Sequence, residues 1–95
     1  MSSVKKSGKK KVRIEGDLTL EEVAEVHRML LEAKLPEDAT VDLSGVNRFD
    51  LPGLQLLYAL KGEKRRFEFG ENAPRFGRMA QFAGFTPLPG SEQHE

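Results

Sequence analysis

Residues 47–57, NRFDLPGLQLL, carry one aspartate in a polar turn that runs through Leu51, Pro52 and Gly53 into an almost unbroken apolar run. An aspartate at such a mouth could act as a general base, touch a partner, or cap a helix. Catalysis would need a second group converging on it, and the candidates are few. His27 is flanked by Val23, Leu30 and Leu31 in a helical pattern, where a lone histidine is more often a tucked structural residue than an acid–base group. Ser44 precedes Gly45 at the end of a strand pattern, a position typical of a turn former, and is the weak alternative acceptor for a phosphate. Asp42 fits the polar face of the same strand. The chain has no G-x-S-x-G elbow, no phosphate-cradling glycine loop and no paired metal ligands. Without cysteine it has no disulfide, thiolate metal site or cysteine nucleophile. The expectation is a protein that is not an enzyme and uses no metal or cofactor. Asp50 reads as the N-cap of a helix, with Pro52 in the first turn, where a missing N–H costs little.

The elements that must position this turn follow from hydrophobic period. VRIEG, TVDLS and RFEFG alternate apolar and polar residues, so each reads as a strand with Val12 and Ile14, Val41 and Leu43, or Phe67 and Phe69 facing inward. Between them, Thr19 and Glu22 form a capping box opening TLEEVAEVHRMLLEAKL. Leu20, Val23, Ala24, Leu30 and Leu31 are expected on its apolar face, with Glu21, Glu25, Arg28 and Glu32 opposite. The helix over residues 51–61 is apolar nearly all round, with only Gln55 and Lys61 strongly polar. It must either lie centrally between two other helices or offer part of itself as a docking patch. Asn72 is expected to cap a third helix with Pro74 in its first turn and Phe76, Met79, Ala80 and Ala83 as its stripe. Gly84 then ends it in a left-handed conformation, followed by Phe85.

This alternation of strand and helix argues for parallel strands joined by right-handed crossovers. Arg13, Glu15, Asp42 and Glu68 occupy the second face of the strands, so helices should cover one face only. The expected architecture is α/β, a small mostly parallel sheet with helices packed on one side.

Lys+Arg and Asp+Glu balance at 15 each, which gives no overall pull toward nucleic acid or membrane. Locally, Lys5, Lys6, Lys9, Lys10, Lys11 and Arg13 precede the first acid, Glu15. Residues 1–11 are read as a basic, flexible tail, residues 12–88 as the folded domain and residues 89–95 as a polar C-terminal tail. The N-terminus lacks the apolar core of a secretion signal, and no apolar stretch approaches the roughly 18 residues of a membrane span. The expected address is cytoplasmic. Arg75 and Arg78, with Lys64, Arg65 and Arg66, are interspersed with Glu63, Glu68 and Glu71, which reads as a mixed solvated surface.

ATVDLSGVNRFDLPGLQLLYALK, followed by a strand and then APRFGRMAQFAGF, resembles the STAS domain, the fold of bacterial anti-sigma-factor antagonists and their relatives. The resemblance spans residues 12–88 and rests on the strand VDLSGV, the Asp-x-x-Gly-Leu turn and the closing AGF, in that order. It implies a small sheet with helices on one side and an additional N-terminal strand, for which residues 2–7 are the available segment. In phosphorylation-regulated members the residue after the aspartate is a serine modified by a partner kinase that is also the anti-sigma factor. That position is Leu51, followed by Pro52, so the switch cannot operate there, while Asp50 and Gly53 match the motif.

The resemblance implies a signal-transduction or transcription-regulating module that binds protein through the Asp50 turn and the helix after it. The expected contacts are Asn47, Arg48, Asp50, Leu51, Gln55 and Leu56, with Ser44 behind them, and binding is expected to be constitutive. The partner is a kinase-fold anti-sigma regulator. The alternatives are a transporter ATPase, for which the chain would be an accessory subunit, or a chemotaxis or other two-component system. A reading of a different class makes residues 5–13 a polyanion or membrane-surface binder. Dimerisation through the sheet edge or charged face, and weak nucleotide binding, stay open.

Overall fold

The computed structural model describes residues 2–61 and 65–85. Its elements are β1 (Ser3–Gly8), β2 (Lys11–Leu18), α1 (Leu20–Ala33), β3 (Thr40–Phe49), α2 (Leu51–Leu60), β4 (Arg66–Glu68), a 3-10 turn (Gly70–Asn72) and α3 (Ala73–Ala83). The sheet order is β1-β2-β3-β4; β1 runs antiparallel to β2, and the other two pairs are parallel. Val12, Ile14, Val41, Leu43 and Phe67 turn to one face and join a single core with residues of all three helices. The opposite face carries Lys11, Arg13, Glu15 and Glu68, so the helices cover one side as the strand polarity requires.

The tail expected at residues 1–11 is instead strand over much of its length, with β1 at Ser3–Gly8. Val4 pairs with Ile14 and packs on the core, while Lys5 pairs with Arg13 in the ladder and bridges to Glu15 at 3.3 Å. A single inward valine suffices because β2 supplies the ladder, and lysines are usual on an exposed edge, where they discourage strand-on-strand association. The expected tail at residues 89–95 and the end of the domain at residue 88 lie outside the described residues.

In α1 the buried stripe is Val26 and Leu30, flanked by the partly buried Val23 and Met29. Leu20 and Leu31 are instead 67% and 66% exposed, and Ala24 and His27 are also exposed. Stripes through residues 20, 24, 27 and 31 and through 23, 26 and 30 both satisfy the helical period. The second keeps the imidazole out of the core, and that one is buried. The helix ends at Lys34, which adopts a left-handed conformation (φ 51°) and returns its N–H to the Leu31 carbonyl.

The choice left open for α2 is resolved by packing. It lies between α1 and α3 over β2 and β3, and Leu54, Leu56 and Leu57 are all buried. Its exposed residues are Leu51, Gln55 and Ala59, spaced four apart on one narrow stripe. At the far end, α3 closes in the expected Schellman arrangement. Gly84 (φ 82°) donates to the Gln81 carbonyl, and Phe85 donates to Ala80 at 2.9 Å and stacks on Tyr58.

β3 is longer than the sequence pattern indicates, continuing through Gly45 to Phe49. Its pairing with β2 slips twice, once between Arg13 and Glu15 and once between Gly16 and Asp17. Each slip gives β3 an extra residue, a bulge that twists the strand and breaks the simple alternation. The twist delivers the chain to Asp50 beside the end of β2. There Gly53 meets the Leu18 carbonyl so closely that a Cβ would lie 2.0 Å from that oxygen. Gly53→Ala is therefore expected to lower the unfolding free energy by about 3 kcal/mol, read by urea denaturation. Wild-type stability would mean that α2 can shift away from β2 without loss.

Candidate functional site

Asp50 has extended backbone angles (φ −135°, ψ −172°), and its side chain caps α2 by accepting from the Gly53 N–H. That bond is 3.4 Å long, made to Oδ1. The other carboxylate oxygen accepts from the Leu20 N–H at 3.0 Å, in the first turn of α1. The Asp50 N–H donates to the Leu18 carbonyl at 3.3 Å. One carboxylate thus serves two helix N-termini, each of which favours negative charge. The hydroxyl bond of the capping box expected at Thr19 is not made: Thr19 is extended but makes no side-chain cap bond. Asp50 instead takes the N–H of Leu20, the first residue of the helix, because β3 and β2 bring it alongside the start of α1.

Behind the turn stands a second polar fixture. Asn72 is helical rather than extended and does not cap α3 as expected. Its buried side chain donates from Nδ2 to the Leu43 and Val46 carbonyls, both at 2.9 Å, across the bulge of β3. Its Oδ1 accepts from Arg75 at 2.9 Å, and Arg75 also donates to the Asn47 carbonyl at 2.9 Å. The Arg75 guanidinium lies 5.2 Å from the centre of the Phe49 ring, which itself stacks on Phe76 at 3.8 Å. β4 pairs with β3 only as far as Asp42, and the Asn72 amide takes the Leu43 and Val46 carbonyls beyond that point. Those partners lie 29 and 26 residues away, so an asparagine before Ala-Pro reads from sequence as a cap.

The expected contact residues divide into three groups. Asn47, Arg48, Leu51 and Gln55 are exposed near the Asp50 turn, and Leu51 is 41% accessible. Exposed Leu20 adjoins them through the Leu20–Asp50 bond, a neighbour the sequence reading assigned to the core. Arg48 pairs with Asp17 at 3.2 Å, and its hydrogen bond to that carboxylate, with the attraction between the charges, raises its pKa further. Leu56, by contrast, is 7% exposed and belongs to the core, so it cannot provide docking area. An all-round apolar helix hides which leucines point outward until its neighbours are fixed.

Ser44 lies with the polar sheet face, within the strand rather than at its end. Its hydroxyl donates to Asp42 at 2.7 Å and accepts from Arg13 at 3.3 Å, and its N–H also donates to Asp42. Arg13 further bridges Asp42 at 3.3 Å and Glu15 at 3.1 Å, and Lys11 pairs with Glu68 at 2.7 Å. A phosphate on Ser44 would therefore be set against the Asp42 carboxylate. Burial pushes the Asp42 carboxyl up, but the Ser44 N–H and hydroxyl, with Arg13 and Lys11, outweigh it and hold the pKa below its ordinary value. Glu15 is also held low, first by its bond to Lys5 and then by Arg13.

Among the described residues, no group of three or more His, Cys, Asp and Glu could hold a metal ion, and no helix is long and apolar enough to cross a membrane. A four-stranded, mostly parallel sheet with three helices on one face, and a capped turn leading into the central helix, define a small class of α/β domain. The sequence matches the family described as Mlab, STAS domain over residues 2–89, and the chain belongs to the STAS domain family. A search of curated proteins returned no match.

The Asp42 system yields a pH dependence with a fixed sign. Because its folded pKa is depressed from 3.8, its contribution is complete above the unfolded value and is lost as pH falls through the folded one. Asp42→Asn should cost about 1.5–3 kcal/mol at pH 7, with the gap from wild type narrowing below about pH 4. Denaturation midpoints of both proteins across pH 2–7 check this; a gap constant with pH would remove the charge from the account.

Proposed function

We propose that this chain is a non-catalytic module that binds a protein partner through the Asp50 turn and the exposed flank of α2, without a phosphorylation switch. The observation that carries the reading is Leu51, an exposed side chain with no hydroxyl at the first position of α2. In regulated relatives a phosphate there would add up to about two negative charges and expel the partner. In this chain the same position offers only apolar area. The contact set is Asn47, Arg48, Leu51 and Gln55, joined by Leu20, with Asp50 holding the turn in place. Arg48 supplies polar specificity, while Leu20 and Leu51 supply the apolar centre.

The first partner reading is a kinase-fold anti-sigma regulator, with the chain acting as an antagonist-like component. The second is a transporter ATPase, with the chain as a permanent accessory subunit. The missing hydroxyl favours the second, because a permanent subunit has no need to be expelled. Binding to polyanions or membrane through the N-terminal lysines is less well supported, since Lys5, Lys10 and Lys11 are each paired with a carboxylate.

Affinity purification from the native cell, with bound proteins identified by mass spectrometry, tests the surface. A kinase-fold regulator or transporter ATPase is expected with wild type and at least ten-fold less with Leu51→Glu, whose thermal melt should match wild type because the side chain is exposed. Equal recovery with both forms, or recovery only of polyanions released by salt, would contradict the proposal.

A further inference from the structure

A second surface lies on α3, apart from the exposed stripe of α2. Phe82 is 96% exposed, the most accessible large apolar side chain among the described residues. A lone exposed phenylalanine would need no explanation. This one lines a shallow depression together with Phe49, Met79, Arg75 and Arg78. Three of those five residues are apolar, two are arginines and none is acidic. α3 itself, APRFGRMAQFA, has two arginines and no carboxylate, although the whole chain is electrically balanced. Exposed Glu71 precedes the helix in the 3-10 turn but does not line the depression, and Lys64 and Glu63 lie outside the described residues.

Arg75 is held rigidly by Asn72, the Asn47 carbonyl and the Phe49 ring, so its charge is fixed at one wall. Arg78 is exposed and has no ion-pair partner among the described residues. Phenylalanine, methionine and arginine are the types enriched at the centres of protein interfaces. From the apolar floor and the one-signed rim, we infer that this depression docks an acidic segment of a partner protein, with an apolar side chain seated beside Phe82 and Met79 and a carboxylate paired to Arg78. Two copies of the chain would bring four arginines of the two helices together, which opposes self-association by this face. Nucleic acid would need a broader basic surface than two arginines around an apolar floor.

The test is a phage-displayed library of random 16-residue peptides, panned on the full-length chain with a Phe82→Ser/Arg78→Glu double variant as the counter-selection. Both substitutions are at exposed positions, and matching circular dichroism melts would show that the variant folds. The expected result is enrichment of peptides combining Asp or Glu with Leu, Phe or Trp. Synthetic versions should bind wild type at least ten-fold more tightly than Arg78→Glu or Phe82→Ser, weaken as salt rises, and bind Leu51→Glu as well as wild type. The last comparison separates this surface from the Asp50 turn, so either can fail alone. Absence of enrichment, or enriched peptides without acids, would overturn the inference. So would a wild-type dimer abolished by Phe82→Ser, a selected motif matching residues 86–95 of the chain itself, or poly(U) binding lost with Arg78→Glu.

Discussion

The Asp50 carboxylate lies between two helix N-termini, and the arrangement of the helical layer depends on it. One oxygen holds the first turn of α2 through Gly53, and the other holds the first turn of α1 through Leu20. Each helix begins with N–H groups that have no partner inside the helix. A single negative charge meets both sets, and the favourable charge–dipole interaction is gained twice. The geometry requires α1 and α2 to start at nearly the same point in space. That in turn requires β2 to end where β3 ends, with Leu18 pairing with Phe49 in the ladder. Gly53 completes the constraint, since only a residue without Cβ lets α2 approach the Leu18 carbonyl. The Asp-x-x-Gly spacing is therefore explained by packing alone, before any partner is considered.

β3 is the strand through which everything else communicates. On its outer face, Arg13, Asp42 and Ser44 form a closed set of charge-assisted bonds. Past the end of its pairing with β4, the Asn72 amide gathers the Leu43 and Val46 carbonyls, and Arg75 carries the connection on to Asn47. Buried polar groups of this kind cost stability if any member is left unpaired, but fully paired they specify one arrangement. The turn at Asp50 consequently projects from a strand fixed on both faces. Such a foundation suits the constitutive docking proposed for the Asp50 turn.

Much of this was legible in the residues, and the failures share a cause. The three parallel strands, the helix boundaries and the one-sided helical layer follow from period and polarity, because those signals are local. The left-handed Gly84 followed by Phe85 was equally readable from residue type. What could not be read locally were bonds across long separations. Thr19 satisfies every local rule for a cap yet makes no side-chain cap bond, while Asp50, 30 residues from Leu20, binds that residue's N–H. Asn72 resembles a cap until the fold brings the Leu43 and Val46 carbonyls of β3 to it. β1 was hidden because one valine among lysines carries no periodic signal, while its ladder partner does. In α1 and α2, more than one face satisfied the helical period, so the outward residues were assigned incorrectly at Leu20, Leu31 and Leu56.

The central claim is that one side chain ties two helices together, and amide hydrogen exchange by NMR on wild type and Asp50→Ala tests it most directly. If the shared cap is real, the Leu20 and Gly53 amides will lose protection together, while the Ile14 and Val41 amides in the sheet retain much more of theirs. A loss confined to Gly53, with Leu20 unchanged, would show that Asp50 caps only its own helix and would contradict the account.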